Sequence, residues 1–373
     1  MSGDTLQIFV SMIIYMAVVI GIGLYFAKRA NESSENYFLG GRTLGPLVTA
    51  MSAEASDMSG WLLMGLPGVA YWYGLSDAAW TAIGLAVGTY LNWLFIAKRL
   101  HNYSVAAGNS ITLPDFFSNR FKEKNKIIMT ISAVFILVFF IVYASSCFVT
   151  VGKLFNALFG FKYQYMMILG AVFVLFYTYI GGFLAESASD TMQAFVMIIA
   201  LVTVLLVGTS AAGGAAQVIE NAKGIPGFFE FFGIASPAIT DGVQEVVNGV
   251  PQYKEAGKYG LYTVLSTLAW GLGYFGMPQV LLRFMAIRDP NELKTSRRIA
   301  TVWVVISLGA AVAIGIIGRA VFSTALLTYS DSENIFIVLS SKLLPAFLAG
   351  FVMAGILAAT ISSSDSYLLI AAS

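Results

Sequence analysis

The chain is poor in the residues that soluble chemistry uses. Among 373 residues there is one cysteine, Cys147, one histidine, His101, and only 11% charged side chains. One cysteine excludes an internal disulfide. One Cys and one His exclude a zinc site of the usual Cys/His kind. No Ser/His/Asp grouping is present, and His101, between basic residues, is expected to be a solvated loop residue. A membrane enzyme is therefore disfavoured. Soluble domains carry about 25% charge, so this chain cannot cover a water-facing surface. The net charge of +1 offers no basic patch dense enough for nucleic acid.

What is abundant is apolar: 58% of residues are hydrophobic and the mean hydropathy is +0.79. About twenty apolar residues cross a bilayer as a helix. On that rule nine spans are predicted, near 6–27, 45–76, 78–97, 128–152, 164–182, 191–210, 259–282, 299–321 and 345–369. The runs are too long for barrel strands, so the expected class is an all-α membrane protein. The N-terminus lacks a basic leader, and its apolar run is too long for a signal peptide. With the N-terminus outside, 14 Lys and Arg fall in inside loops and 7 outside, which is the bias expected of that orientation. The longest outside loop, about 211–258, is polar and Gly/Pro-containing, and short surface helices are expected in it. The chain stops at Ser373 directly after an apolar stretch, which predicts that further residues follow in the complete protein.

Two spans are interrupted. One reads Ser52-Ala53-Glu54-Ala55-Ser56-Asp57-Met58-Ser59-Gly60-Trp61, then Gly65, Pro67 and Gly68. The other reads Trp270-Gly271-Leu272-Gly273-Tyr274-Phe275-Gly276-Met277-Pro278. Gly and Pro weaken helices, and backbone freed at mid-membrane is tolerated only where it lines a cavity. Paired breaks mark a transporter site, although Gly and Pro also serve close packing. Asp57 carries a carboxylate into mid-membrane, at a cost of about 2.5–3.5 kcal/mol or more. No Lys or Arg lies within two helical turns of it. It must be protonated, solvated, or near a cation. The last span carries Thr360, Ser362, Ser363, Ser364, Asp365 and Ser366. Sodium prefers oxygen ligands, as other hard cations do. These hydroxyls and the carbonyls of a broken helix could supply them; otherwise the serines simply bond back to their own turn. Trp61, Tyr143, Trp270 and Tyr274 lie deep in their predicted spans and could box a small apolar ring or stem.

These stretches resemble the sodium/solute symporter family. Leu39 to Pro46, Ala55 to Gly68, Thr112 to Phe117, Gly181 to Ala185 and Trp270 to Gly276 carry the likeness, which extends over essentially the whole chain. The stretch Ser56 to Gly68 is most like the branch that carries proline. The resemblance implies the inverted-repeat fold of the bacterial leucine transporter and a multi-pass position in the bacterial inner membrane. It implies sodium-driven uptake of proline, with sodium and the solute as the only partners. Pantothenate, another amino acid, sugars or sialic acids are alternatives, as is a transporter-like sensor domain. It places sodium at the carbonyls of Ala55, Met58 and Ala359 and the hydroxyls of Ser362 and Ser363. It places the solute against Trp61, Tyr143, Trp270 and Tyr274, with Ser59 and Gly60 beside them. Asp57 matches an acid needed for sodium-dependent function. Asp190 matches an acid of a second ion site, with Asp365 a further candidate where relatives have serine. Arg42 matches an arginine that matters for coupling. Free N–H groups at the break are expected to face the solute carboxylate. The family has about thirteen spans, so a chain ending at Ser373 is not expected to transport.

Overall fold

The computed structural model describes residues 3–373. Six helices are long and apolar enough to cross a membrane. They are α1 (Gly3–Ala30), the continuous rod Leu75–Ala106, α8 (Ile127–Phe159), α9 (Tyr163–Ala211), α13 (Leu293–Val321) and α16 (Ala346–Ala372). The rod comprises α5 (Leu75–Asn92), a π turn over Trp93–Ala97, and α6 (Lys98–Ala106). Shorter helices complete the chain: α2 (Ser34–Leu39), α3 (Pro46–Asp57), α4 (Leu66–Tyr73), α7 (Leu113–Arg120), α10 (Ala215–Lys223), α11 (Leu261–Leu268), α12 (Pro278–Ala286), α14 (Tyr329–Ser332) and α15 (Ile335–Leu343).

Burial sorts the long helices. Only 11% of the most apolar window of α8 is buried, against 78% for α16. Phe135, Val138, Phe139 and Val142 of α8 are exposed and need lipid, while α16 is the central post. It packs along α9, α8 and α1; α13 packs along α4, α5, α9 and α3.

The spans expected near 164–182 and 191–210 are two helices that meet end to end in the stretch α9, joined at a non-helical Gly182. There φ is 52° and ψ is −163°, a conformation that only glycine adopts without strain. A Cβ on Gly182 would also lie 2.9 Å from the Tyr37 ring. Carbonyls released by the bend find donors. The Tyr37 hydroxyl donates to Thr178 O and Tyr179 O, both at 3.2 Å, and Asn31 Nδ2 donates to Ile180 O at 3.3 Å.

Both predicted interruptions are present. The first separates α3 from α4 by Met58–Gly60 and a π turn over Trp61–Gly65. It is a loosened helix rather than an extended strand: Met58 has φ −83° and ψ 13°, and Gly60 has −56° and −15°. The second is an eight-residue 3-10 helix, Ala269–Gly276, that ends in extended Met277 before Pro278 opens α12. Runs of 3-10 helix rarely exceed four residues, so this one marks a special site. Its glycines let it lie directly on α5. A Cβ on Gly271 would sit 2.0 Å from Gly84 O, and one on Gly88 would sit 2.2 Å from Gly271 O. Gly271→Ala is therefore expected to push the segment off α5 and destabilise the fold by about 1–3 kcal/mol. A thermal midpoint in detergent equal to that of the native protein would refute this packing.

The connection 211–258 holds α10, as expected, but also three short antiparallel strand pairs, two of them hairpins, that the all-helical reading missed. They pair β1 (Gly233–Ile234) with β6 (Gly257–Lys258), β2 (Ile239–Thr240) with β3 (Val243–Gln244), and β4 (Val246–Val247) with β5 (Val250–Pro251). Two turns are Asp241-Gly242 and Asn248-Gly249, with φ positive at all four residues. That is the preferred two-residue hairpin chemistry.

Candidate functional site

The end of α3 meets the middle of α16. Ser362 Oγ donates to Ala55 O at 2.7 Å and is also 3.2 Å from Ala359 O. Three of the five expected sodium ligands are thus in one cluster, and Ser363 lies beside them in sequence. In the hydroxyl run of α16, Thr360, Ser362, Ser364 and Ser366 all bond back to their own helix. Ser363 does not: its hydroxyl is buried with no partner. The donor set is two hydroxyls and main-chain carbonyls, all neutral oxygen, which suits a hard monovalent ion. Among the described residues there is no His/Cys/Asp/Glu group suited to a transition metal.

A narrow cavity of about 60 Å³ opens beside this cluster. Its wall holds Asp57, Met58, Ser59, Trp61, Tyr143 and Tyr274, and it also takes in Trp270 and Leu85. A second, open cavity of about 350 Å³ shares Ser59, Trp61, Tyr143 and Trp270 with the first and adds Gly60. It runs to Lys153 and Glu333, which pair at 2.5 Å at its far end. The aromatic groups are fixed in pairs. Trp61 and Trp270 lie 4.9 Å apart at 56°, and Tyr143 stacks on Tyr367 at 4.4 Å and 15°. Tyr367 was not anticipated. Trp270, expected deep, is half exposed and stands at the cavity rim.

At the break Trp61 N donates to Ser59 Oγ at 3.3 Å, Leu62 N to Ser59 O, and Met64 N to Gly60 O, so these three N–H groups are engaged within the turn itself. Asp57 is the only carboxylate on the inner cavity wall, with no Lys or Arg beside it there. Its Oδ1 accepts from Gln279 Nε2 at 3.2 Å. Glu54 points the other way, toward Trp93 Nε1 at 3.3 Å. Asp57 therefore faces the cavity and Glu54 the packed interior.

Behind the hydroxyl cluster lies a buried charge group. Arg283 of α12 is fully buried. It donates to Glu186, to Asp190 Oδ2 at 3.1 Å and to Ser366 Oγ at 2.8 Å, and its Nε donates to Ser52 Oγ at 3.0 Å. Ser52 Oγ in turn donates to Asp190 Oδ2 at 2.7 Å. The guanidinium thus holds one oxygen of Asp190. Asp190 Oδ1, Glu186 Oε2 and Asp365 Oδ2 are buried without partners. Neither Arg283, one residue past the predicted span 259–282, nor Glu186 is among the site residues expected from the sequence. The signal was there: Arg283 sits inside the apolar run Val280–Met285.

The opposite end is tied shut. Arg42 donates to Asn109 Oδ1 at 3.0 Å, Ser104 Oγ at 3.2 Å, Met285 O at 2.6 Å and Ser110 O at 2.8 Å. Leu44 and Arg288 extend the closure: Leu44 N donates to Ala286 O, and Arg288 N to Leu44 O. His101 is no solvated loop residue. It is buried, with Nδ1 3.1 Å from Phe284 O in the same closure.

This geometry has close relatives. Residues 37–373 match the family model of the sodium:solute symporter family. The chain is 40% identical over 367 residues to the sodium/proline symporter of Staphylococcus aureus strain USA300 / TCH1516, covering 98% of this chain and 67% of that one. The sodium/proline symporter of strain NCTC 8325 gives the same values. A solved structure described as the substrate-bound outward-open state of a Na+-coupled sialic acid symporter superposes with TM-score 0.76 at 18% identity, over 97% of this chain and 71% of that one, which bears on the fold alone. With most of its length matched and its relatives transporters rather than enzymes, the chain belongs to the sodium:solute symporter family.

Proposed function

We propose that the protein imports L-proline into the cell with the sodium gradient as driving force. The observation that carries this is the partnerless Ser363 hydroxyl beside the Ser362–Ala55 contact, at the break that also walls the aromatic cavity. Sodium bound by Ala55, Met58, Ala359, Ser362 and Ser363 ties α3 to α16 and fixes the break. Each ligand then raises the affinity for the other, and by the same factor. The solute sits between Trp61, Trp270, Tyr143 and Tyr274, with Ser59 and Gly60 lining its way in and Asp57 beside its cationic nitrogen. Arg42 holds the inner closure that must open for release. Asp190 and Asp365 support the ion site through the Arg283 group.

In this reading the chain crosses the membrane nine times in the arrangement of the bacterial leucine transporter, with the N-terminus outside. The long α9 supplies two crossings and each broken segment one. The larger, open cavity then faces outward. One sodium entering down about 100 mV and a tenfold gradient releases about 3.7 kcal/mol, enough to hold roughly a 500-fold solute gradient.

The test is uptake of labelled proline into proteoliposomes by the protein as its cell makes it. Uptake should require inward sodium and show saturable counterflow. Sodium-independent uptake, or preference for another solute, would overturn the proposal. Within that assay Trp61→Ala should weaken proline affinity by about 30-fold, as loss of a buried aromatic anchor costs about 2 kcal/mol. Its thermal midpoint should barely move. An unchanged affinity would remove Trp61 from the solute site.

A further inference from the structure

Arg319, in the last turn of α13, has its side chain almost wholly buried, at 2% exposure. It walls a cleft of about 380 Å³ between α13, the end of α10 and the hairpin turn at Gly249. No Asp or Glu lines that cleft. A buried guanidinium normally has a carboxylate, because an unpaired charge away from water is costly. Here the compensation is partial. Gln244 Oε1 accepts from Nη2 at 2.5 Å. The faces of Tyr71 and Tyr253 lie 4.9 and 5.2 Å from the guanidinium carbon, and the carbonyl end of α13 adds a fraction of a negative charge. Nε and Nη1 have no partner. Nor does the Tyr253 hydroxyl, which lies close by without alignment. The Tyr71 hydroxyl is spent on Phe322 O at 2.8 Å.

We infer that the Arg319 cleft binds a small monovalent anion, a halide or a short carboxylate. The guanidinium N–H groups at Nε and Nη1 and the Tyr253 O–H, which face one another and no acid, supply donors from two sides. The aromatic faces keep water from solvating the cation fully, and the absence of any acid leaves the positive charge to the ligand. The site is separate from the sodium and proline sites. Gln244 also links the elements around it: its N donates to Leu327 O and its Nε2 to Gln252 O. An anion on Arg319 therefore pins the hairpins to α13.

The experiment compares the protein in sodium chloride, sodium acetate and sodium gluconate at constant sodium. Gluconate serves as the bulky reference anion. Chloride or acetate should raise the thermal midpoint by about 5 °C at saturation. Arg319→Gln should lose the difference between anions. In parallel, chloride-35 NMR of the native protein should show excess line broadening that a short anion displaces and gluconate does not. This second measurement stands if Arg319→Gln fails to fold. Displacement of chloride by acetate would define a site open to carboxylates; displacement by bromide alone would confine it to halides. A midpoint indifferent to the anion, no excess broadening, or the same anion effect in Arg319→Gln would overturn the assignment.

Discussion

Replacing Ser362 and Ser363 together with alanine is expected to lower the apparent sodium affinity by about 10²–10⁴-fold and to leave uptake without sodium stimulation. Two of five ligand oxygens disappear. A hydrogen-bond-strength contact to a charged group is worth about 1.5–3 kcal/mol, so the pair accounts for about 3–6 kcal/mol. The cost to folding is far smaller. Ser363 makes no hydrogen bond in this structure, and Ser362 makes its cross-helix bond to Ala55 O alone. Losing that one neutral bond costs about 1 kcal/mol. The variant should thus reach the membrane with a nearly native midpoint. Proline affinity measured without sodium should be unchanged, while the gain that sodium gives should vanish. Sodium stimulation that survives the double substitution would remove these hydroxyls from the ion site.

The largest effect on stability is expected from Arg283→Met. The side chain fits the volume but leaves Glu186 and Asp190 buried without their counter-charge. Breaking a buried ion pair from one side costs about 3–5 kcal/mol, a large share of the about 5–15 kcal/mol that holds a domain folded. Little protein should be recovered, with a midpoint well below native. The physical claim is that the loss comes from unpaired carboxylates and not from missing bulk. Adding Glu186→Gln and Asp190→Asn to the same chain should then restore much of the midpoint, because the charge to be buried is gone. A triple variant as unstable as the single one would show that Arg283 acts by packing. Transport is expected to stay impaired in the rescued protein, since Ser366 and Ser52, which also contact Arg283, belong to the helices that frame the ion cluster.

Hydropathy located the apolar helices, and glycine and proline located both interruptions. These signals are local: a run of apolar residues needs lipid, and a Gly-rich stretch cannot hold an ordinary helix. The meeting of Ala55 with Ser362, 307 positions apart, came only through family likeness. Composition could not have supplied it. Arg283 shows why. Its neighbours in sequence are apolar, yet its partners sit on α9 and α16, 97 and 83 positions away. A window average reads a lone arginine as the edge of a span. His101 was misread for the same reason, since Phe284 O, which holds it, belongs to a distant helix. The Asp241-Gly242 and Asn248-Gly249 turns were legible and were passed over, because the surrounding polar stretch reads as irregular. The break at Gly182 was legible: the predicted span 164–182 ends at that Gly-Gly pair, where the helix is interrupted.

Most helix contacts in this protein interlock side chains, but α5 meets the 3-10 segment glycine against glycine, main chain on main chain. Such a face has few teeth. Across it Asn92 Nδ2, the side chain that does reach over, donates to Tyr274 O at 2.8 Å. The joint is a main-chain hinge with an amide for its pin: removing that pin would free the angle between the two segments without opening a hole in the packing.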